Sequence, residues 1–133
     1  MQDNKNEFND LIDCATSSEA YLDYCTELYG YRMYLFNMMD KFQLDDLFNN
    51  ISISMSDSIL DLGCGSGSIL NYLMQKYQCQ GTGIDQLNTE IIKKDNNLFT
   101  YINGNIDELK SCSVSPNITI SVDSLYFSNR LDR

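Results

Sequence analysis

Histidine is absent from the 133 residues. Its absence removes every mechanism built on imidazole, from the Ser-His-Asp triad to the usual zinc-hydrolase ligand sets. What remains is carboxylate, Tyr, Cys and Lys chemistry, or catalysis with no protein acid or base. Positive charge is scarce, with 9 Lys and Arg against 19 Asp and Glu for a net −10. Residues 1–50 carry −7 and residues 51–133 carry −3, so neither half offers the clustered cations that a nucleic acid or an anionic membrane needs. No apolar run approaches the roughly 18–20 residues that span a bilayer. The five cysteines (Cys14, Cys25, Cys64, Cys79, Cys112) are an odd number without a CxxC pair. Their spacing does not suit a metal site, and buried, inert thiols are the simpler expectation. With the polar start Met1-Gln-Asp-Asn-Lys-Asn, this pattern is that of a reduced, cytoplasmic protein without a signal peptide. Proline occurs once, at Pro116, and no Pro/Gly-rich linker separates two domains.

At 43% hydrophobic and 21% charged, the chain has enough Ile, Leu, Tyr, Phe and Met to bury a core. The first fifty residues read as a helical lead-in. Phe8, Leu11, Ile12 and Ala15 share one helical face. Thr16-Ser-Ser-Glu19 has the form of a capping box that restarts the helix. Tyr21, Tyr24, Cys25 and Leu28 follow until Gly30, and Asp40 caps a third helix around Phe42 or Leu44, Leu47 and Phe48. Between them, Tyr31–Met39 is dense in aromatic and Met residues, a segment that either packs on the domain behind it or covers a ligand pocket.

From Ser56 onward, short apolar runs alternate with caps and turns. Strands are expected at 58–62, 80–84, 98–102 and 117–122. Helices are expected around Ile69–Met74, around Ile91 and Ile92 after Asn88 and Thr89, and from Asn105. This order predicts an α/β fold, a doubly wound parallel sheet of about four strands preceded by N-terminal helices. Residues 1–50 and 51–133 together form one domain.

The chemistry gathers at Asp61-Leu-Gly-Cys-Gly-Ser-Gly67, where the first strand turns into a helix. Alternate glycines let backbone come close to a ligand, at the sheet edge where such folds bind. Asp85, eighteen residues after Gly67, ends the second strand, from which a carboxylate reaches ribose hydroxyls. A dinucleotide fingerprint would want glycine where this chain has Ser68 and an apolar residue in place of Asp61. An acid there repels a pyrophosphate and attracts an ammonium or sulfonium.

The segment resembles motif I of the class I S-adenosylmethionine-dependent methyltransferases, with their Rossmann-like fold. Gly83-Ile-Asp85 resembles their acidic motif, Gly104-Asn-Ile-Asp107 their adenine loop, and Asn117–Tyr126 their fourth strand and following loop. The resemblance implies that the Gly63, Cys64, Gly65 and Gly67 turn holds the methionine part of S-adenosylmethionine, with Asp61 near its amino group. It implies that Asp85 binds the ribose, Gln86 lies along the adenine, and Ile106 with Asn105 or Asp107 closes the adenine's other side. Asp107 as a first-turn acid and Tyr126 as a packed ring are the alternatives kept for those two. Asp123 and Tyr126 are the implied catalytic residues, and direct methyl transfer to a small-molecule acceptor is the implied reaction.

The resemblance spans about residues 58–127, whereas family members continue through about three more strands. The expectation is therefore a Rossmann-like domain truncated after its fourth strand, with the final Ser128–Arg133 reading as the first turn of a helix. The exposed fourth-strand edge invites self-association. A fragment, a swapped dimer and a natural short form without catalysis all stay open. A non-catalytic nucleoside-binding or interaction module is the alternative function, and a nicotinamide-dinucleotide enzyme a weaker third.

Overall fold

The computed structural model describes residues 2–37, 39–87, 99–111, 113 and 115–129. The helix expected around Ile91 and Ile92, together with Met38, Cys112 and residues 130–133, lies outside the described residues. Strands β1 (Ser58–Leu62), β2 (Gln80–Asp85), β3 (Thr100–Asn103) and β4 (Ile118–Ile120) form one parallel sheet in the order β3-β2-β1-β4. This is the parallel sheet that the alternation of strands and helices predicts, in the Rossmann-like form that the resemblance implies, with the carboxyl ends of all four strands along one edge. β3 begins two residues later than expected, and β4 is shorter at both ends, with Ile118, Thr119 and Ile120 in register with Ile59, Leu60 and Asp61 of β1. Among the described residues β4 is an edge of the sheet.

The helices are α1 (Gln2–Thr16), α2 (Glu19–Tyr29), α3 (Lys41–Asn49) and α4 (Ser68–Tyr77). In α3 the expected cap is present as a full capping box, with Asp40 accepting from the Gln43 N–H and the Gln43 side chain accepting from the Asp40 N–H. In α2 the cap is Ser18, not Thr16. The Thr16 hydroxyl instead donates back to the Ile12 carbonyl at 2.6 Å, which keeps Thr16 within α1. Gly30 ends α2 in the left-handed conformation, at φ 72°.

The buried stripe of α2 is Leu22, Cys25 and Tyr29, rotated from the expected face so that Tyr24 and Leu28 are exposed. On α1 only Ile12 of the four expected residues is buried, while Phe8 and Leu11 face outward. The difference has a simple cause: α1 makes its main contacts with α2 alone, which covers one narrow strip. One core joins the two halves of the chain, running from Cys25, Tyr29, Leu44 and Phe48 to Ile59, Leu70 and Leu73. Met33 and Leu35 are buried in it, so residues 31–37 pack rather than hang free. The Tyr21 hydroxyl donates to the Leu35 carbonyl at 2.7 Å and the Tyr29 hydroxyl to the Asn37 carbonyl at 2.6 Å.

A polar cluster joins the same halves. The Asp45 carboxylate of α3 accepts hydroxyls from Tyr31 and from Tyr72 of α4, the latter at 2.6 Å, and pairs with Lys76 at 3.4 Å. Those hydrogen bonds and the Lys76 charge hold the Asp45 carboxyl below its ordinary range. Cys25 and Cys79 are buried as expected, Cys64 is half-buried, and Cys14 is exposed. Among the described residues no helix is long and apolar enough to cross a membrane. No three His, Cys, Asp or Glu side chains among them converge in a way that could hold a metal ion.

Candidate functional site

β1 delivers Asp61 to the carboxyl edge of the sheet, in register with Gly83 of β2 and Ile120 of β4. Its side chain is only 3% exposed, and no described residue donates a hydrogen bond to it. Burial, and then the charge of Asp85, push its carboxyl up to about 7. The loop that follows is fastened to β2, because the Gly63 and Cys64 N–H groups both donate to the Ile84 carbonyl, at 2.8 and 3.1 Å.

Gly63, Gly65 and Gly67 all take left-handed conformations, but their surroundings differ. A side chain at Gly63 would collide with Ser124, whose hydroxyl donates to the Leu62 carbonyl, as does that of Ser121 at 3.2 Å. A side chain at Gly67 would strike the Phe99 ring. At Gly65 no described residue beyond its chain neighbours lies within 4 Å of where a Cβ would stand. The expected close approach of backbone to ligand is thus available at Gly65, while Gly63 and Gly67 serve internal packing. Cys64 turns its thiol toward the sheet, so that a Cβ at Gly83 would come within 2.6 Å of its sulfur. Burial raises this thiol's pKa, which leaves it an uncharged packing group.

Asp85 ends β2 as expected, with both carboxylate oxygens oriented by backbone. One accepts from the Gly65 N–H at 2.8 Å and the other from the Leu87 N–H at 2.9 Å. Each oxygen retains a lone pair for a further donor. Asp61, Asp85 and the Gly63–Gly67 loop therefore form one constellation. Gln86 is exposed beside it.

Asn105, Ile106 and Asp107 are half-buried at the start of a 3-10 turn, Ile106–Ser111, after β3. The Asn105 side chain accepts from the Asp107 N–H at 2.9 Å, the cap expected from the sequence. Asp107 is committed elsewhere, since its carboxylate accepts from the Ser128 hydroxyl and from the Asn129 N–H at 3.0 Å. Asp123 shortly precedes a second 3-10 turn, Leu125–Phe127, and Tyr126 lies within it. Asp123 holds a left-handed φ of 57°, an uncommon backbone for a residue with a side chain. Burial, and then the charge and hydrogen bond of Asp123, raise the Tyr126 pKa. Both lie on the surface, Tyr126 at 64% exposure.

Sequence reasoning missed Tyr101. From β3 its hydroxyl donates to the Leu87 carbonyl and, at 3.1 Å, to the Asp85 carbonyl. A lone tyrosine in a short strand carries no signal that its hydroxyl reaches a neighbouring turn.

Residues 45–113, just over half of the chain, match the family described as methionine biosynthesis protein MetW. The chain belongs to that family. Among solved structures, an S-adenosylmethionine-dependent methyltransferase from Geobacter sulfurreducens, crystallised with S-adenosyl-L-homocysteine, is similar at 21% identity and a TM-score of 0.56. The match covers 71% of this chain and 41% of that one. YjhP from E. coli matches at 21% identity and a TM-score of 0.55, over 65% of this chain and 38% of that one. A dimethyladenosine transferase from Plasmodium falciparum matches at 18% identity and a TM-score of 0.51, over 65% of this chain and 33% of that one. The fold is thus the Rossmann-like fold of the class I methyltransferases, and the chain spans about two fifths or less of the length of these structures. No curated protein sequence matches it.

Proposed function

We propose that the Asp61, Gly65 and Asp85 constellation binds S-adenosylmethionine, and that the chain supplies the cofactor-binding part of a methyltransferase acting on a small molecule. The observation that carries this reading is Asp61, a buried carboxyl with no donor among the described residues, in the same constellation as Gly65, where no described residue fills the place of a Cβ. An ammonium group would supply both the missing donor and the compensating charge. A pyrophosphate would add a second repulsion to that of Asp85, which counts against a nicotinamide dinucleotide.

The residues present fit the cofactor. Asp61 would meet its amino group, the backbone at Gly65 its methionine part, and Asp85 the two ribose hydroxyls. Gln86, Asn105 and Ile106 would border the adenine, while Asp107 holds the 128–129 segment beside them. When bound, the cofactor supplies an already activated methyl group. The protein's part is then to orient, to exclude water and to provide a matched field. Asp123 and Tyr126 are the candidates to take a proton from an acceptor. In this reading residues 1–50 are a helical cap joined by a shared core to the binding unit at 51–133.

The exposure of Asp123 and Tyr126 favours a second reading, a nucleoside-binding module without catalysis. Thermal unfolding with S-adenosylhomocysteine, with NAD as control, tests the shared part of both. A ligand at a hundredfold excess over its Kd adds about 2.7 kcal/mol of apparent stability. A rise of the midpoint with S-adenosylhomocysteine alone supports the site. An unchanged midpoint in a cooperatively unfolding chain counts against it. Methyl transfer to a panel of small acceptors then separates the two readings.

A further inference from the structure

Asp85 can meet a ribose only if its carboxylate is held in one orientation, and that orientation depends on the turn that follows β2. The Asp85 oxygens are fixed by two backbone N–H groups, from Gly65 on one side and Leu87 on the other. The Leu87 N–H is in turn only as well placed as the 85–87 turn itself. That turn is held from β3: Tyr101 donates to the carbonyls of Asp85 and Leu87, and the Asn103 side chain donates to the Leu87 carbonyl at 3.3 Å. Tyr101 and Asn103 are two residues apart on one strand and so lie on the same face. In register they stand opposite Gly83 and Asp85 of β2. The Asp85 carbonyl also accepts from the Gly104 N–H at 2.9 Å, which anchors the near end of the turn independently. At the far end, at Leu87, the side chains of Tyr101 and Asn103 do the anchoring.

From this geometry we infer that Tyr101 is a positioning residue for the nucleoside site: its hydroxyl sets the 85–87 turn and, through the Leu87 N–H, the plane in which Asp85 presents its carboxylate. The inference rests on the proposed role of Asp85. Burial and the Asp85 charge raise the Tyr101 pKa, so the phenol stays protonated and remains a donor throughout the physiological range.

The test is a double-mutant cycle in the full chain, with S-adenosylhomocysteine as the ligand and calorimetry as the readout. The variants are Tyr101→Phe, Asp85→Asn and both together, each checked for cooperative unfolding without ligand. Tyr101→Phe alone should weaken binding about tenfold, as expected when the effect of one lost hydrogen bond passes to the ligand. In the Asp85→Asn background the same change should cost nothing further, because the group it orients is gone. Equal losses in both backgrounds would mean that Tyr101 touches the ligand or merely supports the fold, and would overturn the positioning role. If Tyr101→Phe does not fold, Asn103→Ala, which removes the second donor to Leu87, goes through the same cycle with the same expected coupling. A wild-type chain that fails to bind would remove the reading beneath this inference. A wild-type chain that binds, with additive losses, would remove the inference alone.

Discussion

Asp61 and Asp85 stand at the carboxyl ends of adjacent strands, and only one of them is provided for. Asp85 accepts two backbone N–H groups, while the more deeply buried Asp61 receives none from the described residues. The charge of Asp85 further disfavours ionisation of Asp61. The pair is thus arranged at a cost to the free protein that a cationic group at Asp61 would relieve.

The first prediction concerns stability without ligand. The Asp61 carboxyl is pushed up from 3.8 to about 7 in the folded protein, so between these values the folded state keeps a proton that the unfolded state has released. Its contribution is therefore fully present below the lower value and is lost as pH rises toward the higher, by up to about 4 kcal/mol at 1.36 kcal/mol per unit. Asp61→Asn should remove this part of the slope. In urea titrations at about pH 5 and about pH 8, the variant should gain on the wild type at the higher pH. Parallel behaviour of the two proteins would show that Asp61 ionises normally.

The same change should act oppositely on binding. The neutral amide keeps the shape of Asp61 but offers no charge to an ammonium. Affinity for S-adenosylhomocysteine should fall roughly 10–100-fold at about pH 8, in line with a charged hydrogen bond of about 1.5–3 kcal/mol. Near pH 6 the gap should narrow, because the wild-type carboxyl must first give up its proton. A variant both more stable and weaker in binding is the expected signature, and unchanged affinity would place the ammonium elsewhere.

The glycines separate in the same way. At Gly65 a methyl group enters open space but is held at φ 54°, so Gly65→Ala should lower stability by about 1–2 kcal/mol, the ordinary strain of a left-handed residue. Because that space is where the ligand is expected, binding should fall much further than stability. Gly63→Ala should do the reverse, since its methyl group meets Ser124 and displaces the hydroxyl that caps the Leu62 carbonyl. Thermal midpoints and affinities on the two variants would reveal the contrast, and equal binding losses would argue that both glycines face the ligand.

Much of the sheet was legible because its signals are local: glycines at 63, 65 and 67, an acid at the end of β2 and apolar runs of strand length. The parallel pairing of the strands followed from their alternation with helices. What failed to show was whatever depends on a neighbour remote in sequence. The exposed Tyr24 and Leu28 look as fit for a core as the buried Leu22 and Tyr29, and the path of residues 31–37 decides between them. Within the site, the glycine spacing announced a turn but not that two of its members are filled by Ser124 and Phe99. The use of Asp107 on Ser128 and Asn129, and of Tyr101 on the 85–87 turn, arises from loops that the fold alone brings together.

Asp45 offers a test of how firmly the helical lead-in is joined to the sheet. Its carboxylate gathers the Tyr31 and Tyr72 hydroxyls and the Lys76 ammonium, tying α3 to α4 and to the segment after α2. Because these partners lower its pKa, its stabilising effect is present above the ordinary carboxylate value and is lost as pH falls through the folded one. Asp45→Asn keeps an acceptor oxygen but loses the charge, and at neutral pH it should cost about 1 kcal/mol, the scale of a partly exposed charged network. The difference from wild type should fade in acid, where the wild-type carboxyl is itself neutral. Amide exchange should locate the loss, with faster opening of α3 and the 31–37 segment than of β1 and β2. Uniform acceleration throughout the chain would instead show that the lead-in and the sheet unfold as a single cooperative unit.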